Sequence, residues 1–246
     1  MRTAFLLGAI IVSLFITPAS RAQSPIPELI FSPIQPCRAF GSMQVPTGQT
    51  RTFRITGASS FAFQGGPAKG CGVPASARAV AISLSARSSS AGYLTAFAQG
   101  TTRPGTNSAS FAANQTQTTG AVVALGPTGQ IAVNVSQTAT LYGDVTGYYA
   151  PPIQGNYSTD FGTGEPIFQT SARILSASRA SQGTFDFRID RPVAGCLVFG
   201  TTNEPGYTVN GYQLSTYIIQ IQVLGRDERF GIFPVDSVFF NFQILC

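Results

Sequence analysis

The sequence predicts an all-β protein of two sandwich-like or jelly-roll-like domains that are joined by a short Pro/Gly linker. Apolar residues alternate with small polar ones in many short segments, and Gly, Pro and Ser clusters separate these segments at regular intervals. Beyond the first 22 residues, no segment has the 3.6-residue period of a helix. Charged residues form 10% of the chain, which is typical of secreted β-proteins with polar, uncharged surfaces.

Residues 72–100 carry the clearest pattern. Apolar and small residues alternate over residues 80–85 and again over residues 93–98, and residues 88–92 form a turn of Ser, Ala and Gly. This pattern predicts a β-hairpin around which the other strands of the first domain assemble.

The remaining segments predict short strands on both sides of this hairpin. In the first half these strands are expected at residues 51–55, 108–113, 120–126, 131–135 and 141–145, with 120–126 as a buried type; in the second half, at residues 184–190, 217–224 and 238–245. The four prolines of residues 23–36 predict an extended lead-in, with an edge strand at Ile30 and Phe31. Residues 61–72 predict a Gly-rich loop.

The amino terminus has the features of a secretory signal peptide, residues 1–22. Arg2 precedes an apolar run over residues 5–16, and a small-x-small cleavage site ends at Ala22. The run is too short to span a membrane. We therefore expect a secreted protein, extracellular or at the cell surface rather than periplasmic, with no membrane span after cleavage.

Export makes the four cysteines candidates for two disulfides. Four cysteines allow three pairings. Their order in the chain favours Cys37–Cys71 and Cys196–Cys246, one bridge in each half. A zinc site is disfavoured because the chain has no histidine and no CxxC pair.

Composition changes across the predicted linker, residues 150–155. Residues 29–150 contain six arginines and Lys69 but a single acid, Asp144, whereas residues 151–246 contain eight acids and six arginines. We therefore place the domains at residues 23–150 and 151–246. The basic half could attract anionic polymers over long range, but its scattered arginines form no nucleic-acid motif.

Several motifs of the first half resemble a known family, and they follow its order over residues 33–150. They are Pro36-Cys37-Arg38, Gly72-Val73-Pro74-Ala75 before Ala79-Val80-Ala81-Ile82, Gly92-Tyr93-Leu94-Thr95-Ala96-Phe97, Arg103-Pro104, Ala121-Val122-Val123, Leu125-Gly126 and Asp144-Val145-Thr146-Gly147-Tyr148-Tyr149. The family is the β-domain of secreted bacterial proteins that often accompanies peptidases and cell-wall amidases. The resemblance implies an accessory, non-catalytic module. Where the family usually has Asp-Thr-Arg after Cys-Arg, this chain has Ala39-Phe40-Gly41.

The absence of histidine excludes Ser-His-Asp and Cys-His catalysis and any His-ligated metal. Gly-x-Ser-x-Gly and Ser-x-x-Lys motifs are also absent. Asp186 and Asp190 lie four residues apart on one predicted strand face, and we interpret them, like Asp227 and Glu228, as solvated surface charge. No catalytic residue, metal or cofactor is predicted. The alternative is a hydrolase that uses two acids of the second domain.

Candidate binding residues come from the aromatic side chains of the first half. Tyr93, Tyr148 and Tyr149 could stack on sugar rings. Arg103, in the turn predicted after residues 93–98, is a fourth candidate binding residue. Asp144 is assigned a structural role, paired with Arg38 or Arg78.

The sequence thus predicts a non-catalytic surface or extracellular-matrix protein that adheres to a cell-envelope or extracellular polysaccharide. A self-assembling structural subunit that pairs through strand edges is a second hypothesis, and the hydrolase is a third.

Overall fold

The computed structural model describes residues 28–159, 166–227, 229, 231–236 and 239–246. The predicted signal peptide lies outside these residues. The described chain is almost entirely β, with one short 3-10 helix at Ala62–Gln64, so the predicted all-β fold is confirmed. None of the helical structure in the described part is long and apolar enough to cross a membrane.

Eight strands form the first sandwich. They are β1 (Ile30–Val45), β2 (Thr50–Arg54), β3 (Ala79–Arg87), β4 (Gly92–Ala98), β5 (Ala109–Phe111), β6 (Thr116–Ala124), β7 (Gln130–Val135) and β8 (Ala139–Ala150). All pairings are antiparallel, in one sheet of order β1-β8-β3-β6 and a second of order β2-β7-β4-β5. One hydrophobic core, which includes Phe40, Phe53, Ile82 and Ile131, fills the space between them.

The predicted hairpin over residues 72–100 is wrong. Strand β3 pairs with β8 and β6, whereas β4 pairs with β7 and β5 in the opposite sheet. The chain crosses from one sheet to the other between Arg87 and Gly92. The alternating pattern correctly placed Leu84 and Leu94 inside, but it could not tell a neighbour in the same sheet from one across the core, because both arrangements bury the same faces.

The predicted edge strand at Ile30 and Phe31 is confirmed, and β1 continues it to Val45. The Pro-rich lead-in continues into β1, whose register shifts between Pro33 and Cys37 and twice more before Met43. Proline is tolerated there because an edge strand can leave one backbone group unpaired. The predicted buried strand at residues 120–126 is part of β6, where Val123 is buried but Val122 is 62% exposed. Its apolar run lies at an edge rather than at the centre of a sheet.

The Gly-rich loop after β2 lies flat against β1. Side-chain Nε2 of Gln64 donates to the carbonyls of Ala39 and Arg54, each at 2.8 Å. A Cβ on Gly66 would come within 2.4 Å of the Ala39 carbonyl oxygen, so only glycine permits this approach. The Cys37–Cys71 disulfide closes the same loop.

Nine strands form the second sandwich. They are β9 (Ile153–Thr159), β10 (Pro166–Thr170), β11 (Ile174–Ser181), β12 (Thr184–Ile189), β13 (Leu197–Thr202), β14 (Tyr207–Ser215), β15 (Ile218–Asp227), β16 (Gly231–Pro234) and β17 (Phe240–Leu245). One sheet has the order β10-β9-β17-β13, and the other has the order β11-β12-β15-β14 with β16 paired to β15. The core between them is aromatic, with Tyr157, Phe185 and Phe240 in mutual contact.

The connection between the two sandwiches is much shorter than the predicted linker, residues 150–155. Strand β8 ends at Ala150 and β9 begins at Ile153, so Pro151 and Pro152 alone connect the sandwiches. Ala150 belongs to the first core and Ile153 to the second. Each half closes its own disulfide, and both predicted pairings, Cys37–Cys71 and Cys196–Cys246, are confirmed.

Hydrogen bonds cross the junction between the sandwiches. Ser76 Oγ donates to the Asp190 carboxylate, and Arg191 donates to Ser32 Oγ at 2.9 Å. These contacts, together with a two-proline connection, hold the halves more closely than a flexible linker would.

Candidate functional site

The residues predicted to bind a ligand do not gather in one place. Tyr93 is the second residue of β4, close to the crossing between Arg87 and Gly92, and is 38% exposed. Tyr149 pairs with Ala79 at the opposite end of β3, where its ring lies 5.1 Å from that of Phe31. Arg103 donates to the Asn134 side chain at 2.5 Å. The structure therefore offers no shared tyrosine platform at these positions.

Tyr148 is buried where the two sandwiches meet, so its ring offers no exposed face for stacking on a sugar. It is 2% exposed, and its hydroxyl accepts a hydrogen bond from Arg173 of the second sandwich at 3.3 Å. The Arg173 guanidinium also lies 5.8 Å from the ring centroid. The alternation of apolar residues along β8 predicts that Tyr148 points toward a buried face, but it does not predict that the second sandwich covers this side chain.

Asp144 pairs with Arg38 in a two-pronged salt bridge across β1 and β8. The Arg38 Nε and Nη2 atoms donate to the two carboxylate oxygens at 2.9 and 3.0 Å. The side chains are 51% and 32% exposed, so both charged groups of this pair reach solvent. This hydrogen bond with Asp144 raises the pKa of Arg38 above its ordinary value.

Asp186 and Asp190, which the sequence places on one predicted strand face, have different surroundings. Asp186 accepts a hydrogen bond from Gln220 Nε2 at 2.6 Å on the sheet surface. The side chain of Asp190 is 5% exposed and pairs with Arg173 at 3.2 Å, so its interpretation as solvated charge is wrong. Asp190 is buried at the junction of the two sandwiches, whereas Asp186 lies on the sheet surface. A strand pattern cannot reveal this difference. Asp227 accepts from the Arg229 amide in a surface turn, and Glu228 lies outside the described residues.

A groove of about 620 Å³ lies on the outer face of the β10-β9-β17-β13 sheet. Its side chains come from all four strands and from the residue that follows β10. We define the amide groove as Thr201, Asn241, Asn156, Gln169, Phe199, Gln243, Gln154 and Ser171.

The strand register arranges these side chains in two parallel rows across the sheet. In the first row Thr201, Asn241, Asn156 and Gln169 lie opposite one another on successive strands. In the second row Phe199 lies opposite Gln243 and Gln243 opposite Gln154, whose backbone exchanges hydrogen bonds with Ser171. Three strand separations span about 14 Å.

Local alternation explains why the amides face outward. Along β17, Phe240, Phe242 and Ile244 are buried in the core, which directs Asn241 and Gln243 to the opposite face. Beneath the groove, a Cβ on Gly155 would come within 2.8 Å of the Phe242 ring. Glycine at this position lets the ring lie under the floor of the groove.

An apolar rim borders the rows at the β13 end. Phe199 is 51% exposed, and the paired residues Leu197 and Leu245 beside it are 61% and 42% exposed. The Cys196–Cys246 disulfide joins the residues next to this pair. The groove thus offers an exposed ring beside a polar floor.

The amide groove has no ionisable side chain among the described residues that line it. Asn156 donates to Gln169 over 3.5 Å, while the side-chain amides of Gln154, Asn241 and Gln243 have no hydrogen-bond partner in the described structure. Each free amide provides two N–H donors and one carbonyl acceptor. Such a surface can bind neutral hydroxyl groups, and nothing in it transfers a proton.

The amide groove was not predicted from the sequence. The signal was present as amides at alternate positions, Gln154 with Asn156 and Asn241 with Gln243. It gave no indication that these segments are neighbours, because residues 154 and 243 meet only through sheet pairing.

No family model matches the chain, and no curated protein matches it significantly. A solved structure of red clover necrotic mosaic virus aligns with 87% of this chain and 96% of its own, at 13% identity and a TM-score of 0.25. A likeness this distant carries no argument about fold or function. The strands, cores and disulfides themselves define an all-β protein of two disulfide-bonded sandwiches.

Proposed function

We propose that this protein is a secreted, non-catalytic module that binds a neutral polysaccharide of a cell envelope or extracellular matrix in the amide groove. The observation that carries the proposal is the pair of uncharged polar rows beside the exposed ring of Phe199. Asn and Gln side chains can donate to one sugar hydroxyl and accept from another, and an aromatic ring offers an apolar face to the C–H groups of a pyranose.

Two further features support this proposal. Two disulfides fit an oxidising compartment such as the extracellular space. The groove is open and shallow and crosses an entire sheet, which suits a long polymer better than an enclosed small molecule.

Retention of the intact protein on insoluble polysaccharides tests the proposal. We expect at least one polymer from a set of cellulose, xylan, mannan and peptidoglycan to retain it, and the double variant Asn241→Ala/Gln243→Ala to be released. Asn210→Ala is the matched control, because Asn210 is an exposed amide on β14 in the opposite sheet. Failure of all four polymers to retain the protein, or equal retention of the double variant, would contradict the proposal.

Self-assembly is a second candidate, favoured by one specific edge. Strand β6 ends its sheet and has nine residues without a charge or a proline, although charged residues commonly protect such edges. Under this candidate, two copies would pair antiparallel along β6. Light scattering should then detect dimers that Thr118→Lys abolishes, and a monomer at all concentrations would reject this assembly.

A further inference from the structure

We infer that the polysaccharide lies across the strands of the amide groove, and that the groove selects extended β-1,4-linked chains over coiled α-1,4-linked chains. This inference rests on the proposed function. It concerns the direction and shape of the ligand, which the proposal leaves open.

The direction follows from how the polar groups are distributed. Across the sheet, the first row continues without interruption from Thr201 through Asn241 and Asn156 to Gln169. Along β17, by contrast, the outward positions change from amide to apolar at Leu245. A ligand that crosses the strands along the first row therefore meets a hydrogen-bonding side chain at every step, whereas one that follows β17 leaves the amides after Gln243.

The shape follows from the spacing of the rows. Adjacent strands lie about 4.8 Å apart, so the row presents one polar side chain at that interval. The rings of an extended β-1,4-linked glycan repeat along their axis at a closely similar spacing. Such a chain, standing on its hydroxyl-bearing edge, brings one ring over each strand. An α-1,4-linked chain curves into a helix and moves its hydroxyls away from a straight row.

The exposed ring of Phe199 provides the end of this path. It lies beside Gln243 in the second row, at the β13 edge of the sheet. A ring there can contact the apolar face of a terminal sugar while the edge of that sugar reaches Thr201 and Asn241. The groove then accommodates about three to four rings over about 14 Å.

Titration of the intact protein with defined oligosaccharides tests the inference. The probes are β-1,4-linked hexasaccharides of glucose, mannose and xylose, and the α-1,4-linked hexasaccharide of glucose, measured by calorimetry. We expect at least one β-linked hexasaccharide to bind at least about tenfold more tightly than the α-linked one, which corresponds to about 1.4 kcal/mol.

Variants at the two ends of the first row test the direction. Gln169→Ala and Thr201→Ala lie about 14 Å apart, and each should weaken binding of the preferred hexasaccharide by about three- to tenfold, as expected for one lost hydrogen bond. Asn210→Ala should leave binding unchanged. If only one of these two variants weakens binding of the hexasaccharide, or if neither does, the proposed direction across the strands is overturned.

The outcomes separate this inference from the proposed function. Binding of the α-linked hexasaccharide as tightly as the best β-linked one, with loss in Asn241→Ala/Gln243→Ala, overturns the inference and supports the proposed function. Absence of binding to every oligosaccharide and to the four insoluble polymers overturns both.

Discussion

The guanidinium of Arg173 and the carboxylate of Asp190 form a buried ion pair at the junction of the two sandwiches, with the Arg173 Nη2 and Asp190 Oδ1 atoms 3.2 Å apart. The first sandwich completes the arrangement, since Ser76 donates to the carboxylate and the Tyr148 hydroxyl accepts from the guanidinium. Neither charge is left without partners, which is the condition for burying an ion pair.

Removal of one member of this pair should destabilise the protein strongly. Arg173→Met leaves the Asp190 charge buried beside Ser76 alone, and we expect the free energy of unfolding to fall by about 3–5 kcal/mol. Urea unfolding measures this loss. Arg188→Met, at an exposed arginine of the adjacent strand β12, is the control and should change stability by less than about 0.5 kcal/mol. Equal effects of both variants would show that the pair contributes nothing specific.

The exposed pair Arg38–Asp144 should behave differently. Because both side chains reach solvent, Asp144→Asn should lower the free energy of unfolding by about 1 kcal/mol or less. Arg38 retains its contact with the ring of Tyr142, 5.2 Å from the guanidinium carbon. Chemical denaturation in low and high salt measures the effect, and a loss above about 2 kcal/mol would contradict this account.

A fragment of residues 28–150 should fold alone. It contains a complete core and its own disulfide, and no buried residue of that core comes from the second half. Its thermal transition should be cooperative but at a lower Tm than in the intact protein, because Ser32, Ser76 and Tyr148 lose their partners. Calorimetry of the purified fragment tests this, and a fragment without a cooperative transition would show that the two halves fold as one unit.

The stability of the second sandwich should decrease in alkaline solution through Tyr157. Burial, with a further contribution from the charge of Asp236, raises the pKa of Tyr157 above its ordinary value. The folded state thus favours the neutral phenol, whose hydroxyl donates to the Asp236 carbonyl at 2.6 Å. This contribution is complete below about pH 10, the pKa of the unfolded phenol, and is lost as the pH rises through the folded pKa.

Tyr157→Phe should remove this alkaline loss, together with about 1 kcal/mol of stability at neutral pH from the missing hydrogen bond. The measurement is the free energy of unfolding over a pH series up to about 11. Tyr217→Phe is the control, because that residue is 43% exposed. If the free energy of unfolding falls with pH equally steeply in Tyr157→Phe and in the unaltered protein, another group causes the alkaline loss of stability.

Retention on a neutral polysaccharide should be insensitive to salt. The amide groove contains no charged side chain among its described residues, so there is no Coulombic attraction for ions to screen. Affinity should change by less than about twofold between 0.01 and 1 M ionic strength. A steep decrease with salt would instead assign retention to the basic first sandwich, and Arg87→Gln would then weaken retention.

Much of the fold could be predicted from local patterns. The all-β class and both disulfides followed from alternation and from the order of the cysteines, because each depends on residues within one half of the chain. The pairing of the strands was not predicted: β3 and β4 have the predicted alternation but lie in opposite sheets. The predictions of a secreted protein and of a resemblance to a bacterial β-domain remain predictions.

The candidate site was predicted less well than the fold. Tyr148 and Asp190 were assigned to a ligand surface and to solvent, respectively, yet each is buried against the other sandwich. A strand pattern reports which residues share a face, not which distant segment covers that face. The same limit hid the amide groove, whose rows combine residues from four strands.

The sequence by itself therefore determined the strand-forming segments, the buried face of most of them and the pairing of the cysteines, since these depend on short-range alternation and on proximity in the chain. Only the tertiary structure decided that Asn156 lies between Asn241 and Gln169, and that Arg173 meets Asp190 beneath Tyr148. These neighbours are brought together by sheet order and domain contact, because many strand orders bury the same apolar faces and the selection among them depends on the packing of the whole chain.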